Sequence, residues 1–121
     1  MATKMVHLEI PVDDTAKARA FWGGLFGWEF QQYPGPTEYH MARVTEDSGA
    51  AISQEPGKRG PRVYFDVEDI QAGTGRVREL GGEANEPQAV PTMGWFAVCR
   101  DDQGNEFGLW QTDPSAPAPE M

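Results

Sequence analysis

One half of this chain echoes the other. At an offset of 55 residues, Leu8, Ile10 and Val12 fall on Val63, Phe65 and Val67, while His7, Glu9 and Pro11 fall on Arg62, Tyr64 and Asp66. Apolar residues at every second position mark a strand buried on one side. An aspartate follows each strand, Asp14 and Asp69, placed to accept from the N–H groups that open a helix. The offset persists to the end of both halves: Ala42 matches Ala97, Asp47 matches Asp102, and Gly49 matches Gly104.

This repeat predicts two βαβββ modules, about 1–55 and 60–112, joined by the turn-rich stretch 55–61. The first helix, about 15–26, carries Ala18, Phe21, Trp22, Leu25 and Phe26 at helical spacing, which reads as the stripe facing the core. The second, about 70–80, has Ile70, Val77 and Leu80 but is weakened by Gly73 and Gly75. Gly27 and Gly82 stand where a left-handed residue would end each helix. Strands are expected at 5–12, 27–33, 38–45 and 49–54, then at 61–67, 83–86, 93–100 and 105–111. The fold class is α+β: a single domain over 1–112, with the Pro/Ala-rich residues 113–121 as a mobile tail.

Each sheet buries one face under its helix. The other face, holding His7, Glu9, Arg62 and Tyr64, must meet solvent, a partner or a groove. In the last strand Glu106, Gly108 and Trp110 share a face, and Ala51 and Ser53 match Glu106 and Gly108 in the first module.

With 10 basic and 19 acidic side chains the net charge is −9. Nucleic acid, which demands a basic footprint, is thereby disfavoured as a partner. Lone Cys99 cannot form an internal disulfide, and neither a signal-peptide run nor a membrane span is present, so the expectation is a cytoplasmic chain without membrane association.

The segments His7–Asp14, Phe21–Trp28, Glu79–Gly82, Gly94–Val98 and Asp101–Gln111 resemble, in this order, the vicinal oxygen chelate superfamily of glyoxalase I, bleomycin resistance proteins and extradiol dioxygenases. The resemblance covers nearly the whole chain. It implies a curved mixed sheet forming a cup, with the helices outside, and commonly a homodimer. In metal-using members four ligands come from the first and last strands of the two modules; the matching positions here are His7, Ser53, Arg62 and Gly108. Only His7 is a good ligand. A divalent ion needs three or four converging donors, and Arg62 brings a permanent positive charge instead. No cofactor is therefore expected, although Glu9 or Glu106 leaves a shifted divalent-metal site open.

Two readings attach to each cup residue. Arg62 either grips an anionic ligand or pairs with Glu9, Asp66 or Glu106 as a structural ion pair. His7 is a general base or a satisfied polar residue. Tyr64 donates to a ligand or packs with its hydroxyl at the rim, and Glu106 binds a cation or sits at the surface. Trp95 and Trp110 either sandwich a flat ligand or form a subunit interface. The leading expectation is a small, aromatic drug or metabolite bound in a cup that has lost its metal. The alternative is a lyase, isomerase or dioxygenase, either with a rebuilt metal site or working metal-free through His7 and Arg62.

Overall fold

The structure, a computed structural model, describes residues 3–118. They fall into two compact units: Val6–Val63, and the residues from Tyr64 onward together with those up to Met5. Each is a sheet with one helix, so the chain is α+β.

The first unit contains β1 (Met5–Val12, whose first residue belongs to the second unit), α1 (Thr15–Phe26), β2 (Gln31–Gln32), β3 (Tyr39–Thr45) and β4 (Ser48–Gln54), ordered β2-β3-β4-β1 across the sheet. β4 runs parallel to β1, with His7 opposite Gly49 and Glu9 opposite Ala51. It runs antiparallel to β3, with Tyr39 opposite Ser53. Paired residues share a face, so His7, Glu9, Ser53 and Tyr39 point to one side. Ile10, Ala42, Ala50 and Ile52 point to the other, and all four are buried.

Asp14 caps α1, accepting from Lys17 N, and Gly27 closes it at φ 73°. The buried face of this helix differs from the expected stripe. Thr15 is buried and Ala18 and Trp22 are half-buried, whereas Phe21, Leu25 and Phe26 are 63%, 58% and 55% exposed. The reason is that α1 is apolar or small almost all round, so periodicity alone does not choose a face. Its rotation is held by a polar contact: Thr15 Oγ1 donates to Glu38 Oε1 at 2.8 Å, and the buried His40 lies 3.1 Å from the same oxygen.

The second unit follows the same plan. It comprises β5 (Arg62–Asp66, whose first two residues belong to the first unit), α2 (Ile70–Glu79), β6 (Glu83–Ala84), β7 (Gln88–Val90), β8 (Gly94–Arg100) and β9 (Glu106–Thr112). The order is β5-β9-β8-β6, with β7 also on β8. β6 and β7 pair with successive parts of β8, so they act as one edge strand broken near Pro87, which has no N–H to give the ladder. Ile70, Ala97, Cys99 and Leu109 form the core, flanked by Phe65, Val67, Val77, Ala84, Trp95 and Phe107.

The helix-ending glycine of α2 is Gly81, at φ 95°, rather than Gly82. Gly82 serves close packing instead: a Cβ there would stand 2.4 Å from Arg100 O. Of the tail, 119–121 lie outside the described residues; Ala116 is buried, and its carbonyl accepts from Thr92 N at 3.0 Å. Among the described residues no helix is long and apolar enough to cross a membrane.

Candidate functional site

The face of the first unit's sheet that carries His7 and Glu9 holds a connected polar cluster. Arg62 donates from Nη2 and Nε to Glu9 Oε1, at 2.5 and 3.1 Å, and from Nη2 to Glu55 Oε2 at 3.0 Å. The other oxygen of Glu9 accepts from the Tyr39 hydroxyl at 2.6 Å. Tyr39 Oη lies 2.8 Å from His7 Nε2. The Tyr39 proton is committed to Glu9, so Nε2 of His7 must be the donor in that contact, which leaves Nδ1 as the basic nitrogen. Burial lowers the His7 pKa, with the Arg62 charge adding to the effect and Glu9 opposing it. His7 is thus neutral at pH 7.

Strand geometry explains why these residues meet. His7 and Glu9 are two apart on β1, and Ser53 and Glu55 continue one face of β4 and the segment after it. Tyr39 enters through its register with Ser53. The side chains of Arg62 and Glu9 are only 8% and 12% exposed, so this is a desolvated ion pair with each charge satisfied. Among the described residues no buried side-chain nitrogen or oxygen lacks a partner.

On the second unit, Tyr64 stands opposite Gly108 and is 2% exposed. Its ring lies flat over that glycine: a Cβ on Gly108 would be 2.2 Å from two ring carbons. The volume a side chain would take at 108 is therefore occupied by an aromatic ring. Trp110 lies on the same face, opposite Phe96, with its indole over Gly94 and its Nε1 donating to Thr112 Oγ1 at 2.9 Å. Glu106 faces Arg100 across the hairpin at 3.5 Å.

Trp95 is a correction. It lies on the opposite face from Trp110, packed against the core, with Nε1 donating to Asp113 Oδ2 at 3.0 Å. The two tryptophans do not face each other, because antiparallel register sets Trp95 against Gln111 and Trp110 against Phe96. Phe96 is the aromatic that sequence reasoning overlooked; its even number, shared with Trp110 in this register, was the available signal. Tyr39 and Glu55 were likewise passed over, though both continue the parity of Ser53.

The residues at the family's ligand positions do not fit a divalent ion. Arg62 is a cation already neutralised by two carboxylates, Ser53 offers one neutral hydroxyl, Gly108 has no side chain, and only His7 is a competent donor. Glu9 has both oxygens engaged. Among the described residues no group of three or more His, Cys, Asp or Glu side chains is placed to hold a metal.

Comparison with known proteins agrees with this architecture. The glyoxalase-like domain family matches residues 4–110. A Mycobacterium tuberculosis protein provisionally named glyoxylase CFP32 is 28% identical over 116 residues, covering 88% of this chain. The chain spans 44% of that relative's length. A glyoxylase-like domain-containing protein of Didymella fabae is 26% identical over 113 residues, covering 84% of this chain and 88% of its own. Among solved structures, a hypothetical protein from Bacillus halodurans superposes with a TM-score of 0.77 at 15% identity, over 98% of this chain and 100% of that one. Streptomyces coelicolor methylmalonyl-CoA epimerase in complex with 2-nitronate-propionyl-CoA gives 0.75 at 15% identity, with the same coverage. The echoing modules, the strand order within each and the family match over 4–110 converge: this chain belongs to the glyoxalase-like domain family of the vicinal oxygen chelate superfamily.

Proposed function

We propose that this glyoxalase-like chain binds a small, flat organic molecule without a resident divalent ion. The observation that carries the reading is the buried guanidinium of Arg62, neutralised by Glu9 and Glu55 at one of the positions where metal-using relatives supply a ligand. The half-buried rings of Phe96 and Trp110, which pair across the strands, support a planar ligand, since ring faces stack on flat π-systems. A net charge of −9 favours neutral or cationic drugs and metabolites over anions. The test combines metal analysis of protein purified without chelators with calorimetric titration against a panel of planar compounds. The expected result is binding by metal-poor protein, weakened by Phe96→Ala or Trp110→Ala. Stoichiometric metal that disappears in His7→Ala would overturn the reading.

The hydrogen-bonded series His7–Tyr39–Glu9 favours a second reading, metal-free acid–base catalysis. Neutral His7 would take a proton from carbon next to a carbonyl at Nδ1, while Tyr39 and Glu9 hold the ring and stabilise its positive charge. Solvent deuterium entering that carbon of a thioester substrate, abolished in His7→Ala and slowed in Tyr39→Phe, would select this reading.

A further inference from the structure

We propose that residues 113–116 form a strap that holds the β7–β8 turn under strain and, through it, keeps the indole of Trp110 in place to stack on a ligand. Met93 N donates to Val90 O at 3.0 Å, so Val90, Pro91, Thr92 and Met93 make one reverse turn. Proline in second place suits it, because its ring fixes φ near the required value. The third place of such a turn, with positive φ, ordinarily goes to glycine or asparagine. Here it is Thr92, at φ 63°, the one non-glycine residue with positive φ among the described residues. A β-branched side chain there is strained, and such strain persists where surrounding contacts over-determine it.

Those contacts come from the chain after β9. Thr92 N donates to Ala116 O at 3.0 Å, and Asp113 N donates to Met93 O at 2.9 Å. Between these anchors the segment closes into a turn of its own, with Ala116 N donating to Asp113 O at 3.1 Å and Ala116 only 5% exposed. The Asp113 carboxylate stiffens it: one oxygen accepts from Ser115 N and Oγ at 2.9 and 2.6 Å, the other from Trp95 Nε1 at 3.0 Å. Its order rests on these few bonds, each modest in net effect against the entropy of fixing the segment. The strap reaches the ligand face at both ends. Met93 leads into Gly94, on whose backbone the Trp110 indole lies: a Cβ there would stand 2.7 Å from Trp110 Cζ2. Asp113 follows Thr112, whose Oγ1 accepts from Trp110 Nε1 at 2.9 Å. Release of the strap lets Thr92 leave its strained conformation, which shifts Gly94 and frees the indole. By linkage, a ligand stacked on Trp110 favours the fastened strap as much as the strap favours the ligand. The effect on ligand rests on the planar-ligand reading; the hold on Trp110 does not.

Nuclear magnetic resonance of the full 121-residue chain tests the strap in two variants that release it. Ala116→Asp puts a charge in a buried place; Ser115→Ala removes an exposed hydroxyl and so spares the fold. In Ala116→Asp the Thr92 amide should exchange at least about 10-fold faster, the loss of about one hydrogen bond. The Trp110 indole N–H signal should shift while the Ala97 and Leu109 amides stay put, and Ser115→Ala should give the same changes, smaller. Ser115→Ala carries the test if Ala116→Asp does not fold. Thr92→Gly removes the strain and keeps the amide, so in that background either releasing variant should leave the Trp110 signal near its wild-type position. Titration with proflavine, a flat cationic dye, should show at least about 5-fold weaker binding in Ala116→Asp, and dye on the wild-type chain should slow Thr92 exchange. Dye that fails to bind the wild-type chain counts against the planar-ligand reading, while the strap is judged on the amide and indole signals. Thr92 exchange and a Trp110 signal unchanged in both releasing variants, or an indole disturbed equally with and without Thr92→Gly, overturns the inference.

Discussion

Removing Arg62 tests whether the charged cluster is as desolvated as its geometry requires. In Arg62→Ala, Glu9 stays in a setting where its side chain is 12% exposed and loses two donors at once. Breaking a buried ion pair from one side costs about 3–5 kcal/mol, because the surviving charge has lost its compensation. Against a total stability of about 5–15 kcal/mol for a single domain, that is a large fraction. With about 2.1 cal/mol/K of unfolding entropy per residue, it lowers Tm by about 12–20 °C. Glu9→Gln should cost less, about 1–3 kcal/mol, because Arg62 keeps Glu55. The double variant Arg62→Met/Glu9→Gln should recover most of the loss, since replacing both partners abolishes the uncompensated charge. Urea unfolding followed by tryptophan fluorescence measures all three. A cost under about 1 kcal/mol for Arg62→Ala, with additive single variants, would mean a water-screened pair and refute the reasoning.

The remaining expectations concern neighbouring residues. Because burial depresses the His7 pKa, the unfolded chain takes up this proton first as pH falls; stability from neutral His7 is full above about pH 6.5 and is lost as pH falls toward the folded pKa, measurable by NMR titration alongside unfolding curves. Gly108→Glu should destabilise by about 1–3 kcal/mol by driving a side chain into the Tyr64 ring, and zinc titration should show no tight site gained. Trp95→Ala should cost about 3–5 kcal/mol in denaturant yet, where the variant is folded, leave ligand affinity unchanged. Trp110→Ala should do the reverse in calorimetric titration, with the larger effect on binding.

How far the fold could be read in advance depended on how local each signal was. The strands β1 and β5, the Asp14 and Asp69 caps, and the turn at Asp101–Asn105 are decided by neighbouring residues, and they stand where expected, although in β5 the more buried residues are Arg62 and Tyr64, on the face read as open. The buried face of α1 was not legible, because a helix apolar on most sides takes its rotation from the distant Glu38 and His40. The broken edge strand β6/β7 was half missed, since its pairing comes from β8 and the interruption at Pro87 hides it. At the site, the likeness of Arg62 and Glu9 to an ion pair was one of two readings left open, and the geometry supplies it, extended to Glu55 and Tyr39. Trp95 went astray because its role turns on cross-strand register, which is set by the hairpin as a whole.

The ring of Tyr64 lying in the space above Gly108 has an evolutionary consequence. A carboxylate introduced at 108 collides with the ring, and trimming the ring alone opens a void in a tightly filled sheet face. Either change by itself damages folding, so placing a carboxylate at 108 needs two coordinated substitutions through a weakened intermediate. The contact acts as a ratchet: substitutions around it are accommodated far more readily than one that sets a donor side chain at 108.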